Sequence, residues 1–170
     1  MEIKYNVSEE DYLNFNKFHI ETSKTFKRAL FVQRIIGPII FIVFSFIFSK
    51  MGDLSFISLL IPFILISILW FIFYPKYFYK SVIRNTKKVF KEGKVGGFLG
   101  EHMMTLTDEG IVDSTATEQT KVSWAGIQSF KEDEHNLYLY NSSVSAYILP
   151  KKELKNVDEI RTYIKSKMKQ

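Results

Sequence analysis

The sequence predicts an α+β protein: a two-helix transmembrane hairpin followed by a small antiparallel β barrel or sandwich with a C-terminal helix. Three observations predict this fold class. Residues 29–74 contain two long apolar runs joined by the short turn SKMGDL. From residue 96 onward, about six short segments alternate apolar and polar side chains between turn-forming residues. The segment from residue 154 to 167 then returns to helical spacing.

Residues 1–28 are predicted to form a strand and an amphipathic helix. The segment EIKYNV, residues 2–7, alternates in polarity, which is typical of a strand. Ser8 is a good N-cap, and the acidic residues after it favour a helix that we expect to run from Glu9 to about Lys27. The strand can pair with an edge of the later sheet and so cover an edge that would otherwise promote aggregation.

Both apolar runs are long enough to cross a bilayer, whose hydrocarbon core is roughly 30 Å thick. Residues 54–74 are twenty-one residues without a charge, or about 31 Å of helix. Residues 29–48 give a first span of about 30 Å, in which Arg34 can extend its charged end to the interface. Pro62 is tolerated in a span if neighbouring groups bond the freed carbonyl. A soluble all-helical core stays as the alternative, whereas a signal peptide does not fit a run that begins so far along the chain and has a second span behind it.

The placement of charge predicts how the hairpin is oriented. The net charge is +5, and lysines and arginines flank both outer ends of the hairpin. The connecting turn carries only Lys50 and Asp53. By the positive-inside rule, both termini face the cytoplasm and only the turn lies outside. The protein is therefore expected to be a multi-pass protein of the cell membrane, with the lipid bilayer as a partner.

Residues 75–95 are predicted to form a separate, basic juxtamembrane helix. One face of this helix carries a basic stripe: Lys80, Arg84, Lys87, Lys88 and Lys91. The stripe has three interpretations. It sets the topology as a solvated face, it contacts anionic lipid headgroups within a Debye length of the leaflet, or it binds nucleic acid. The third is disfavoured because aromatic residues do not interleave with the basic ones. These five residues are the candidate anionic-lipid contacts, and no nucleic-acid partner is expected.

Residues 96–170 are predicted to form a cytoplasmic β domain. Its strands are separated by turns at residues 108–110, 116–119, 134–136 and 141–143, which are rich in Gly, Asp, Asn and Ser. Pro150 stops the last strand, and the C-terminal helix closes the chain. Trp124, on the same predicted strand face as Val122, is interpreted as a core anchor of the barrel.

Several short motifs occur in a familiar order. Gly37-Pro38 lies in the first span, and the β domain carries TDEGI (107–111), SWAGI (123–127), LYLY (137–140) and AYILPKKEL (146–154). With the preceding hairpin, these motifs resemble the YcxB-like family of bacterial membrane proteins over nearly the whole chain. The resemblance implies a cytoplasmic domain similar in layout to the pleckstrin-homology-like (PH-like) domains that follow paired spans. It implies a fold and a location but no activity.

The residues that carry chemistry are sparse. The absence of cysteine excludes disulfides, thiolate metal sites and cysteine nucleophiles. His19, His102 and His135 are far apart and show no paired metal-ligand spacing. His102 is interpreted as a surface or half-buried residue. The acidic residues at 108–109 and 132–134 are interpreted as solvated turn residues. No catalytic, cofactor-binding or metal-binding residue is predicted.

The sequence therefore favours a non-catalytic, membrane-anchored binding or scaffolding protein that presents its PH-like domain to a protein, a peptide or a lipid headgroup. The alternative is a regulatory subunit of a larger membrane complex, assembled through the hairpin. Small residues that permit close helix contact are Gly37, Ser45, Ser49, Ser58 and Ser67. A third, weaker alternative is an enzyme whose site forms only on oligomerisation. A protein partner or a homo-oligomer is expected.

Overall fold

The computed structural model describes residues 1–53, 55–91 and 97–168, with side chains omitted for residues 89–91. The chain divides into two compact units: a sheet unit, Met1–His19 with Thr86–Gln170, and a helical unit, Ile20–Asn85. The helices are α1 (Glu9–Thr22), α2 (Lys24–Met51), α3 (Phe56–Lys91) and α4 (Val157–Lys167). The strands are β1 (Glu2–Val7), β2 (Gly100–Leu106), β3 (Gly110–Ser114), β4 (Gln119–Ser123), β5 (Ser129–Glu132), β6 (Asn136–Tyr140) and β7 (Ala146–Pro150).

The sheet unit contains two antiparallel sheets. The first has the strand order β1-β2-β3-β4, and the second has the order β5-β6-β7. The N-terminal strand pairs with β2, with Tyr5 opposite His102, so the prediction that it adds to a sheet edge is confirmed. The arrangement is sandwich-like, with α4 at the C-terminal end, and the predicted α+β class is confirmed.

Alternation along the strands decides which side chains reach the core. In β1, the side chains of Ile3, Tyr5 and Val7 are buried while those between them are exposed. In β2, Met104 and Leu106 are buried on the inner face in the same way. Strand β6 is buried along its whole length because it is the central strand of its sheet.

Helices α1 and α4 complete the core of the sheet unit. From α1, the rings of Phe15 and Phe18 pack against Tyr138 of β6, with centroids 5.5 and 5.0 Å away. From α4, Ile160 and Ile164 are buried in the same apolar cluster. The Ser8 side chain caps α1, since its Oγ accepts from the Asp11 backbone N–H, as its predicted N-cap role requires.

The predicted single helix from Glu9 to about Lys27 is wrong. The chain breaks at Ser23, which has extended backbone angles (φ −75°, ψ 122°). Its Oγ accepts from the backbone N–H of Phe26 and so begins a new helix, α2. Serine favours this N-cap position because its hydroxyl accepts from a backbone N–H of the first helical turn, which has no acceptor within the helix.

The helical unit consists of two long apolar helices. Helix α2 has 28 residues and α3 has 36, lengths of about 42 and 54 Å. Both are long and apolar enough to cross a membrane, and their most apolar segments are 11% and 0% buried. The alternative of a soluble helical core would need these side chains buried, whereas Phe31, Ile57 and many like them are exposed.

The two helices contact each other along a defined seam. A Cβ atom on Gly37 would lie 2.4 Å from Trp70 Nε1, so the absence of a side chain permits this close approach. Ser45 is fully buried, and its Oγ donates to the carbonyl of Phe41. Nearer the outer ends of the helices, the Tyr74 hydroxyl donates to Gln33 Oε1.

The predicted separate helix at 75–95 is also wrong in its start: α3 continues through Pro75 without a break, to Lys91. Residues 92–95 lie outside the described part of the chain. Proline lacks an N–H, so in a helix the carbonyl four residues earlier, that of Phe71, loses its usual donor. Arg34 Nε donates to this carbonyl at 2.7 Å, and its guanidinium lies 3.6 Å from the Phe71 ring centroid. The cross-helix bond from Arg34 thus replaces the hydrogen bond that Pro75 removes.

Candidate functional site

A cavity of about 230 Å³ lies on the inner face of the first sheet, within the sheet unit. Strands β1, β2, β3, β4 and β7 all contribute to its walls, together with the turns around Glu118 and Asn141. Exposed residues at its wall, Phe98, Glu118 and Thr120, mark its opening. The cavity is therefore built by long-range strand pairing and not by one local motif.

Three buried polar residues form a hydrogen-bonded triad in the cavity wall. The Tyr5 hydroxyl donates to Asp113 Oδ1 at 3.1 Å, and His102 Nδ1 lies 2.9 Å from Asp113 Oδ2. The Tyr5 and His102 rings stack, with centroids 5.2 Å apart. The exposed fractions of Tyr5, His102 and Asp113 are only 3%, 6% and 6%. The triad follows from register, since the three residues occupy inward positions on adjacent strands.

The protonation of the triad follows from its partners. A carboxylate only accepts hydrogen bonds, so Asp113 receives one from the Tyr5 hydroxyl and one from His102 Nδ1–H. Burial, and then the neighbouring carboxylate, raise the pKa of Tyr5 well above its ordinary value, so Tyr5 stays a donor at neutral pH. Because Nδ1 faces Asp113, Nε2 is the second polar atom of the His102 ring, and it has no partner among the described residues.

Two polar atoms of residues in the cavity wall lack a partner. His102 Nε2 and Asn141 Oδ1 are buried and have no hydrogen-bond partner among the described residues. An unsatisfied buried polar atom costs about 1–3 kcal/mol, so native proteins keep few of them. Both residues line the same cavity.

The charge of the cavity wall is negative. Its side chains include the carboxylates of Asp113 and Glu118, while the residues described as lining it include no lysine or arginine. Glu118 lies beside Gly97, where an added Cβ would be 3.3 Å from Glu118 Oε1. On the opposite side, the Thr120 and Tyr147 hydroxyls lie 3.2 Å apart. The charged groups described in the wall are therefore acceptors, while the hydroxyls can both donate and accept.

A second polar cluster lies where α1 covers β6. Asp133 Oδ2 accepts from the Tyr138 hydroxyl at 2.6 Å, and the Tyr138 pKa is raised by burial and then by this bond. His19 Nδ1 lies 3.2 Å from the Tyr140 hydroxyl. Burial raises the pKa of Tyr140 to about 12 and lowers that of His19, with the charge of Lys131 lowering the latter further. This cluster anchors α1 and is separate from the cavity.

The basic residues predicted from the sequence lie elsewhere. Lys80, Arg84, Lys87 and Lys88 are exposed on α3, and none lines the cavity. The side chain of Lys91 lies outside the described residues. At 3.6 residues per turn, all five positions fall within a sector of about 100°. The structure thus places them on one helix face but does not join them to the triad.

Two interpretations from the sequence need correction. His102 is buried, not at the surface, because its position in β2 points inward with Met104. Glu132 is the last residue of β5 and pairs with Arg161 at 2.9 Å and Lys151 at 3.1 Å, so it is not a solvated turn residue. Asp108 and Glu109 do lie in the β2–β3 turn.

Sequence reasoning missed Tyr5 and Asp113, although a signal was present. Each shares its strand's inward face with an apolar residue: Tyr5 with Ile3, and Asp113 with Ile111. A charged residue at an inward position is unusual and calls for a partner. Trp124 packs against the core as expected, but from a short 3₁₀ helix, and its Nε1 donates to the Thr107 carbonyl at 2.9 Å.

Across the part of the chain that the structure describes, no group of three or more His, Asp or Glu side chains could hold a metal ion. The triad supplies one imidazole and one carboxylate already engaged with each other. Its arrangement suits hydrogen bonding to a ligand more than coordination of a metal.

Comparison with known proteins finds a family model that is similar to part of the sheet unit. Residues 106–165 match the family model described as YcxB-like protein. This segment extends from the end of β2 into α4 and includes Asp113, Glu118 and Asn141. Comparisons with curated proteins and with solved structures give no match. The resemblance of the chain to the YcxB-like family is thereby confirmed over residues 106–165.

Proposed function

We propose that this protein is a non-catalytic binding protein anchored in the cell membrane by α2 and α3, with both termini in the cytoplasm. We propose further that the sheet unit has a PH-like layout and binds a ligand in the cavity. The observation that carries the proposal is the pair of unpartnered buried atoms, His102 Nε2 and Asn141 Oδ1, in one cavity wall.

Membrane anchoring is supported by the surface of the helical unit. Its exposed side chains are overwhelmingly Phe, Ile, Leu and Val, which water would not favour and lipid would. Arg34 lies beside Phe71, near the end of the uncharged run of α3, where Trp70 and Tyr74 stack at 4.6 Å. Aromatic rings and a snorkelling arginine are typical of the headgroup level.

Contact with anionic lipid is supported by the basic stripe on α3. The four described side chains, Lys80, Arg84, Lys87 and Lys88, are exposed and share a face. The stripe directly continues the apolar part of the same helix, so it lies within reach of headgroups once that part is in the bilayer.

The alternative role as a subunit assembled through the hairpin has less support. Gly37 and Ser45, two of the small residues that would permit contact with another protein, are buried inside the hairpin itself. They are therefore used for packing α2 against α3.

Binding is tested with the full chain in nanodiscs, against a panel of small organic cations, anions and neutral polyols. At least one class should raise the thermal stability of the sheet unit, and Asn141→Leu should abolish this rise. Asn6→Leu is the matched control because Asn6 lies on the outer face of β1. If no class stabilises the wild-type chain, the binding function is wrong.

Anchoring and orientation are tested with a single cysteine at Gly52, since the chain has no native cysteine. The residue lies just after α2, in the turn between the two helices. An impermeant maleimide should label it from outside intact cells. Labelling only after the cytoplasmic side is opened would overturn the orientation.

A further inference from the structure

We propose that the cavity of the sheet unit takes an organic cation, an alkylammonium or guanidinium group, carried by a free small amine or by a lysine or arginine side chain of a peptide. The inference rests on the proposed binding function and names the chemical class of its ligand. It rests on the charge of the cavity wall, on the hydrogen-bonding sense of its unpartnered atoms, and on its aromatic residues.

The charge of the wall excludes an anion. Asp113 and Glu118 place two carboxylates in the lining, and the residues described there provide no lysine or arginine to offset them. A phosphate or carboxylate ligand would meet like charge in a partly desolvated site, whereas a cation would be attracted.

The unpartnered atoms need a hydrogen-bond donor. Asn141 Oδ1 is a carbonyl oxygen that only accepts, and the His102 tautomer that donates from Nδ1 to Asp113 accepts at Nε2. Glu118 adds a third acceptor at the opening. An ammonium carries three donors and a guanidinium five, so either group can satisfy several acceptors at once.

The aromatic residues of the wall also favour a cation. Tyr5, Phe98 and Tyr147 line the cavity, and ring faces attract cations by about 0.5–2 kcal/mol depending on desolvation. The volume of about 230 Å³ lies below the roughly 300–1,000 Å³ of pockets for drug-sized molecules. The cavity therefore suits a side-chain-sized group and not a large headgroup.

The charge in the cavity is opposite to that of the basic stripe on α3. The chain as a whole is positive, at +5, yet the cavity wall is acidic. An anion is expected at the exposed stripe, and a cation at the cavity. The two surfaces can thus be distinguished by ligand charge alone.

The experiment measures binding to the full chain in nanodiscs of neutral lipid at physiological salt, by calorimetry. Three probes are used. Agmatine is a free amine that carries a guanidinium group, a blocked Gly-Arg-Gly tripeptide carries the same group on a peptide side chain, and inorganic phosphate is the anion. We expect agmatine or the tripeptide to bind and phosphate not to bind at the cavity. Binding of agmatine alone identifies a free amine as the source, and binding of the tripeptide alone identifies a peptide side chain.

Variants assign the binding to the cavity. Glu118→Gln should weaken cation binding roughly 5- to 10-fold, as expected for one charge-assisted hydrogen bond. Asn141→Asp should strengthen it by a similar factor, because it adds a negative charge to an acceptor position. Glu101→Gln is the matched control, since it removes a carboxylate from the outer face of β2.

Three results would overturn the inference. In the first, phosphate binds, Asn141→Asp weakens its binding, and neither cation binds. In the second, a cation binds but neither Glu118→Gln nor Asn141→Asp changes its affinity, which places it elsewhere. In the third, a neutral polyol of the panel binds in the cavity in place of a cation. In the first and third cases the proposed binding function survives, whereas the absence of any ligand in the whole panel would remove both proposals.

Discussion

The helical unit and the sheet unit differ in where their apolar side chains lie. In the helical unit the apolar side chains are exposed, and polar groups such as Arg34 and Gln33 find partners on the facing helix. In the sheet unit the apolar side chains are buried, and polar groups such as His102 lie among them with one atom unpartnered.

This difference follows from the solvent that each unit requires. In a lipid environment every backbone polar group must be satisfied internally, so a freed carbonyl such as that of Phe71 needs a side-chain donor. In the sheet unit the strand ladders satisfy the backbone, and the unpartnered atoms are side-chain atoms such as His102 Nε2. The two units should therefore respond to mutation separately, and each by its own mechanism.

The largest loss of unfolding free energy is expected from Asp113→Leu in the sheet unit. The substitution leaves the Tyr5 hydroxyl and His102 Nδ1–H buried without an acceptor. Loss of one partner of a buried, charged hydrogen-bonded group costs about 3–5 kcal/mol. Amide hydrogen exchange of β6 in nanodiscs should report this loss of unfolding free energy, while the amides of α2 keep their protection.

The matched control is Asp108→Leu, because Asp108 lies in an exposed turn and pairs with Lys167 at the surface. Its effect should be much smaller. Tyr5→Phe should lower the unfolding free energy of the sheet unit by about 1 kcal/mol, since it removes one donor and leaves Asp113 bonded to His102. A loss of protection in α2 with Asp113→Leu would show that the two units do not unfold separately.

In the helical unit, the bond from Arg34 to the Phe71 carbonyl is tested by a double-mutant cycle with Pro75→Ala. Alanine restores the N–H that proline lacks, so the Phe71 carbonyl no longer depends on Arg34. Arg34→Met should cost about 1–2 kcal/mol in the wild-type hairpin and roughly 0.5–1 kcal/mol less in the Pro75→Ala background. Steric-trap unfolding of the hairpin in lipid bicelles measures both values.

The control for this cycle is Pro62→Ala, which changes a second proline of the same helix, α3. Pro62 frees the carbonyl of Ser58, far along the helix from Arg34. The effects of Arg34→Met and Pro62→Ala on the unfolding free energy of the hairpin should therefore be additive. Equal coupling energies at the two prolines would mean that Arg34 does not replace the hydrogen bond removed at Pro75.

The sequence was sufficient for features that depend on local patterns. Uncharged length predicted both apolar helices, and period-two alternation predicted the strands, including the pairing of β1 with an edge. The two errors in helix bounds, at Ser23 and Pro75, have local causes of their own. Ser23 acts as an N-cap within a pattern that looks like one continuous helix. Pro75 does not begin a new helix, because Arg34 replaces the hydrogen bond that the proline removes.

The cavity was not predictable in the same way. Tyr5 lies far along the chain from Asp113, at a separation of 108 residues, and from His102, and the three meet only through the register of β1, β2 and β3. Alternation indicates that each points inward, but it does not indicate which residues become neighbours. The unpartnered state of Asn141 Oδ1 depends on the packing of the β6–β7 turn, which no sequence pattern encodes.

The smallest effect concerns pH and the buried His19, whose exposed fraction is 5%. Burial and Lys131 lower its pKa from 6.5, so the unfolded chain binds this proton more readily than the folded chain. The contribution of neutral His19 is therefore fully present above about pH 6.5 and is lost as pH falls through the lowered folded-state pKa. By linkage, the unfolding free energy of the sheet unit should fall by at most about 1.4 kcal/mol per pH unit.

Hydrogen exchange of β6 between pH 7 and pH 5, corrected for intrinsic rates, measures this slope. His19→Gln should flatten the slope, whereas His135→Gln should leave it unchanged because His135 is exposed in the β5–β6 turn. Lys131→Gln should reduce it in part, since it removes the second cause of the lowered pKa. The hairpin should show no matching change, because His19 belongs to the sheet unit alone. An identical slope in wild type and His19→Gln would assign the acid sensitivity of this unit to other groups.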